Sequence, residues 1–230
     1  MNDYLRAKEY FIDTIKAESA IRKIQLSYLK DILDRTEGNK YKLTFMKLTV
    51  PELYAQYEGY FKFIFKEVIK YINNCQIENI NLNRNHLIFP LLTELTSEVT
   101  KQKSKAKRII NLFKNIFENN KKIFEIFNAD KYILNLDSTK QTLKILGING
   151  YSLPMGNLDS LYKRRCEIAH GVISEDNPFY ISSDLDITDM LVEETYNDYW
   201  IKHYDTVIRA IDILSDLFIS FISDERYKSA

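Results

Sequence analysis

The chain has 230 residues, of which 45% are hydrophobic and 28% charged, a balance that suits one folded domain and argues against disorder. Its 32 Lys and Arg offset 32 Asp and Glu, so the net charge is zero and any nucleic-acid contact must come from a local patch rather than the overall field. Two cysteines, Cys75 and Cys166, are too few for a disulfide framework or a zinc site, and no apolar run approaches the roughly 20 residues that span a bilayer.

With only six Gly and four Pro, long helices are expected. The first runs from Asp3 to about Arg35, with an apolar face read from Tyr4, Ala7, Phe11, Ile15, Ile21, Ile24, Tyr28, Ile32 and Leu33. Gly38 and Asn39 stop it. Its opening residues lack the apolar core of a signal peptide, so the expected location is cytoplasmic, away from any membrane. Tyr41 to Thr49 is poorly patterned, either a linker or a helical turn. Pro51 suits a first helical position, and the most apolar helix is expected from Glu52 to Asn73. On that helix Glu58 and Gly59 stand out. A carboxylate on a buried face needs a partner, and Arg164 or Arg165 is the candidate, which makes Glu58 a site-supporting residue. Gly59 is expected to permit close helix approach.

Asn73 to Asn85 is Asn-rich and reads as a loop. His86 to Val99 reads as a helix interrupted at Pro90. Lys101, Lys103, Lys105, Lys107 and Arg108 then alternate with small or polar residues. On a helix, steps of about 200° scatter them over several faces. They are either a solvated basic segment or a phosphate-backbone contact that helps hold RNA. A helix over Ile109 to Phe127, interrupted at Asn119 and Asn120, is followed by an extended piece at Tyr132 to Leu136. Ser138 or Asp137 caps a helix from Thr139 to Leu146 that ends at Gly147. A turn at Pro154, Met155 and Gly156 leads to Asn157, the expected cap of the next helix. After Gly171 the chain reads as a loop to Asp186, and a last helix, with Trp200 in its apolar face, runs from Thr188 to about Ser223. The expectation is an all-α bundle forming a single domain over 1–230.

The residues with most chemistry lie on the helix from Leu158 to Gly171. Leu158, Leu161, Tyr162, Ile168 and Ala169 form its apolar stripe, and Gly171 sits where a helix ends in the left-handed conformation. Onto it the sequence places Arg164, Arg165 and, in the last turn, His170. A guanidinium binds phosphate through a bidentate fork, and an imidazole accepts and donates protons near neutral pH. A helix-terminal His can equally be a structural residue stabilised by the dipole. No glycine-rich phosphate loop or metal-ligand cluster is visible, and no cofactor is expected.

Arg165, four intervening residues, His170 and then Gly171 resemble the R-x4-H signature of the HEPN superfamily. The flanks Leu161-Tyr162-Lys163-Arg164-Arg165 and Ile168-Ala169-His170-Gly171 are similar to a HEPN branch found in prokaryotic defence and toxin systems, as is the aromatic-Glu-Gly-aromatic pattern at Tyr57 to Tyr60. The resemblance implies a HEPN-like bundle with additional helices, acting as a homodimer that brings two motif helices together. It implies a metal-independent endoribonuclease in which the ribose 2′-OH attacks the adjacent phosphate, His170 moves protons and Arg165 steadies the phosphorane charge. Arg164, Cys166 and Glu167 join Glu58 as site-supporting candidates. Cys166 stands where the family usually has a polar residue, often Asn. Val172 stands where toxins paired with nucleotidyltransferases carry Tyr.

Spacing alone leaves the register open, because five residues turn a helix by about 500° and set Arg165 and His170 roughly 140° apart. Arg164 is no better aligned, so the choice of Arg165 follows family spacing. The implied partners are an RNA substrate, a second copy and an antitoxin or defence-system protein. The alternative is a non-catalytic HEPN module that binds nucleotide, RNA or a partner. His86 and His203 are read as structural, and Trp200 as core or dimer interface.

Overall fold

Gly38, at φ +84°, separates the first two helices: its carbonyl accepts the Tyr41 and Lys42 amides at 3.0 and 3.1 Å and so opens the second. They are seen in a computed structural model that describes residues 3–75, 110, 136–148, 152–172, 177, 179 and 190–228. Among the described residues there are five helices and no strand: α1 (Asp3–Arg35), α2 (Asn39–Asn74), α3 (Leu136–Ile145), α4 (Met155–His170) and α5 (Met190–Ser223). The fold is all-α. The readings placed on residues 76–109, 111–135, 173–176 and 180–189 lie outside the described residues, and these include the Pro90 helix and the basic run.

The chain divides into two compact units. One comprises Met1–Lys16, Lys62–Gly150 and Ser215–Ala230, the other Ala17–Phe61 and Tyr151–Leu214. α1, α2 and α5 each contribute residues to both. In the first unit, Phe11, Phe65, Val68, Ile72, Leu143, Phe218 and Phe221 are buried. There the Tyr4 hydroxyl meets that of Tyr227 and donates to Glu225 Oε1 at 2.5 Å, and Tyr71 reaches Tyr227 at 3.4 Å. The second unit buries Leu26, Leu33, Met46, Val50, Leu53, Tyr57, Leu158, Leu161, Trp200, Val207 and Ile211, and it contains the whole of α4.

α2 corrects the expected boundary at Pro51, because Tyr41 to Thr49 is helix and the proline lies inside. Leu43, Met46, Val50, Leu53, Tyr54 and Tyr57 are all buried at three-to-four-residue spacing, so one apolar stripe crosses the proline. Pro51 lacks the N–H that would reach the carbonyl four residues back. Thr49 beside it is tied to its own helix and to α5: its hydroxyl donates to the Phe45 carbonyl at 2.8 Å and accepts the Trp200 indole N–H at 2.9 Å. Tertiary packing here outweighs a local helix breaker.

On α1, Phe11, Ile15, Leu26 and Leu33 are buried as a stripe, while Ile21, Ile24, Tyr28 and Ile32 are half or more exposed. The helix therefore has two apolar stripes, and periodicity cannot tell which one faces the core. α3 starts earlier than expected, so Leu136 is helical rather than extended. It ends as read, with Gly147 at φ +67° and the Ile148 amide returning to the Leu143 carbonyl at 2.8 Å.

Candidate functional site

α4 begins at Pro154, whose carbonyl accepts the Asn157 and Leu158 amides at 3.1 Å, without a side-chain cap. Asn157 is therefore not the cap; it lies a turn inside and donates to the Thr206 hydroxyl at 3.3 Å. The helix ends at Gly171, at φ +69°, with the Gly171 amide on the Ile168 carbonyl at 3.2 Å and the Val172 amide on the Glu167 carbonyl at 3.1 Å. Leu158 and Leu161 anchor its inner face, and the tip from Ala169 to Val172 is exposed.

Arg164 and Arg165, adjacent in sequence, point to different surroundings. Arg164 is buried, and its Nη1 donates to Glu167 at 3.1 and 3.3 Å. Glu167 also accepts the Asn177 amide at 2.5 Å and lies 3.8 Å from Lys163. This cluster ties Glu167 to Arg164, Asn177 and Lys163.

Arg165 faces α2. Its Nη2 is 3.5 Å from Glu58 Oε2, and its side chain keeps 35% of its surface open to solvent. The guanidinium carbon lies 5.2 Å from the Tyr54 ring centre and 5.8 Å from that of Tyr162. Nη1 reaches the Cys166 sulfur at 3.6 Å. Burial lowers the Arg165 pKa, but Cys166, Glu58 and Tyr54 more than offset it, so the group stands above its ordinary value and stays charged. Burial first, then Glu58, pushes the Tyr54 phenol up. Tyr162 is also raised, chiefly by Cys166.

His170 is exposed in the last turn of α4. The five residues from Arg165 to His170 place the two side chains roughly 140° apart on an ideal helix. Glu58 and Cys166 both meet the Arg165 guanidinium, His170 occupies the exposed tip, and the buried Arg164 pairs with the half-buried Glu167. Lys101, Lys103, Lys105, Lys107 and Arg108 lie outside the described residues. His203 is buried against the Tyr199 ring, with centroids 4.3 Å apart.

Sequence reasoning passed over Tyr54 and Tyr162 as site residues. Tyr54 is one turn before Glu58 on α2, and Tyr162 is one turn before Arg165 on α4, so helical spacing carried a signal for both. A cavity of about 440 Å³ lined by Asn157, Lys202, Asp205 and Arg209 lies at the opposite end of α4. It is roughly 20 Å along the axis from His170, too far to share its chemistry. Among the described residues no three His, Cys, Asp or Glu side chains gather to hold a metal ion, and no helix is long and apolar enough to cross a membrane.

The HEPN family described as RiboL-PSP-HEPN matches residues 17–224, a span that holds Glu58, Arg165 and His170. The chain therefore belongs to the HEPN superfamily, as the R-x4-H motif led one to expect. No curated protein and no solved structure matches the chain. Membership points to a nuclease or RNA-binding module.

Proposed function

We propose that this HEPN protein is a metal-independent endoribonuclease that works as a homodimer in prokaryotic defence or as a toxin. The observation that carries the reading is the contrast between the two arginines: Arg164 is committed to Glu167, while Arg165 is held partly open to solvent on the helix that ends in the exposed His170. In the proposed reaction the 2′-oxygen of a ribose forms a bond to the adjacent phosphorus and the bond from phosphorus to the 5′-oxygen breaks. One imidazole takes the 2′-OH proton and another protonates the leaving 5′-oxygen, giving a 2′,3′-cyclic phosphate and a 5′-OH. Arg165 steadies the charge on the non-bridging oxygens. A two-fold pair of α4 tips supplies the second imidazole.

The rest of the proposal follows from this core. Residues 1–230 act as one domain in the cytoplasm. Glu58 and Cys166 support Arg165, and residues 101–108 contact the RNA backbone. An antitoxin or defence-system protein controls the enzyme.

The test is RNA cleavage by wild type, His170→Ala and Arg165→Ala, with product ends read by mass spectrometry. Cyclic phosphate ends that disappear in both variants, at unchanged folding, support the proposal. Equal cleavage by all three proteins overturns it. The second reading, a non-catalytic binding module, is favoured by the Glu58 carboxylate already beside Arg165 and by Cys166 in the position of a polar residue. RNA binding without product formation selects it.

A further inference from the structure

Arg165 stands in a cradle of aromatic rings. The Tyr54 and Tyr162 rings are 5.4 Å apart and tilted by 53°, so they open as a V. The guanidinium carbon completes the triangle at 5.2 and 5.8 Å from the two ring centres. We infer that Tyr54 and Tyr162 are positioning residues, whose ring faces hold the Arg165 guanidinium so that its edge is presented to a phosphate of RNA. The inference rests on the reading of Arg165 as the phosphate ligand.

The chemistry of the guanidinium makes the orientation matter. Its charge is attracted to a ring face, while its donors radiate in its own plane. Rings that take the face leave the in-plane N–H groups for an acceptor. Glu58 then draws Nη2 from one side, and the Cys166 sulfur meets Nη1 from the other. Both aromatic residues lie on helices, one turn before a residue of the cluster: Tyr54 precedes Glu58 on α2 and Tyr162 precedes Arg165 on α4. A long, rotatable side chain held in this way loses less freedom when it meets an anion. Tyr54 is 2% exposed and so forms the fixed wall. Tyr162, only partly buried, is the wall that can be altered with least risk to the fold.

The experiment uses a 2′-O-methyl RNA oligonucleotide, which cannot be cleaved by 2′-OH attack, with binding read by fluorescence anisotropy and folding by thermal melting. Tyr162→Leu is expected to weaken binding about fivefold, and Tyr162→Phe, which keeps the ring face, to stay within about twofold of wild type. Tyr54→Phe behaves like Tyr162→Phe. With cleavable RNA, the Leu variant raises KM more than it lowers kcat. In an Arg165→Ala background, Tyr162→Leu has no further effect, because the ring acts only through that guanidinium. Weaker binding by Arg165→Ala with unchanged binding by a folded Tyr162→Leu overturns the inference alone. A Tyr162→Leu loss that persists in the Arg165→Ala background also overturns it. Equal binding by wild type and Arg165→Ala overturns the phosphate-ligand reading, and this inference with it.

Discussion

His203 predicts a definite loss of stability in acid. It is 1% exposed, and among the described residues neither ring nitrogen has a hydrogen-bond partner. Burial, then the positive charges of Lys202 and Arg164, lowers its pKa from 6.5 to about 4. The unfolded chain therefore takes up a proton near pH 6.5, and the folded chain takes it up only near pH 4. Between those values the unfolded state binds more protons, so stability falls as the pH falls through this window and is unaffected by His203 above it. The gap between 6.5 and about 4 amounts to about 3 kcal/mol at 1.36 kcal/mol per pH unit. Urea denaturation of wild type and His203→Leu at pH 7, 6, 5 and 4 isolates this residue from the carboxylates. The stability difference between the two proteins should shift by about 3 kcal/mol in favour of the variant from pH 7 to pH 4. Imidazole proton resonances give a direct reading of the same quantity. A His203 resonance that titrates near pH 6.5 in the folded protein, or an equal acid loss in the variant, refutes the reasoning.

Three further outcomes follow from the packing. Arg164→Met removes the buried guanidinium from Glu167, which keeps Asn177 and Lys163, and is expected to cost about 2–3 kcal/mol in chemical denaturation, whereas Arg165→Ala, at a half-open pair, costs about 1 kcal/mol or less. Equal losses would mean that the two arginines have no division of labour. Gly171→Ala meets no atom within 4 Å, so only the φ of +69° opposes it, and a melting curve should show about 1–2 kcal/mol of destabilisation. Trp200→Ala empties a fully buried site and is expected to cost about 3–5 kcal/mol by urea titration.

The all-α class, the extent of α1 and the glycine ends of α3 and α4 were legible because each rests on a local signal, either apolar recurrence or a left-handed cap. The continuity of α2 through Pro51 was not, because what holds it is Trp200, 151 residues away, on the Thr49 hydroxyl. The inner face of α1 was half legible: two stripes have the right period, and only packing shows that Leu26 is in and Ile24 is out. At the candidate site, Glu58 was singled out because a carboxylate on an apolar helix demands a partner, and it lies beside Arg165. Tyr162 passed as an ordinary member of an apolar stripe and Tyr54 was not singled out, since nothing in an aromatic residue announces that its face is to carry a cation.

The angle between Arg165 and His170 turns the dimer proposal into a test of its own. Side chains roughly 140° apart on one helix do not converge on one phosphate unless a second helix contributes. Arg165 is directed toward α2 of its own chain, so the imidazole that joins it is expected to come from another copy, through the exposed tip from Ala169 to Val172. Mixed dimers of wild type and His170→Ala, isolated with two different affinity tags, keep both guanidiniums and only one imidazole, so they are expected to cleave RNA hardly better than the His170→Ala pair. Mixed dimers that retain about half of the wild-type rate would refute the shared cleft, since each imidazole would then serve a site of its own.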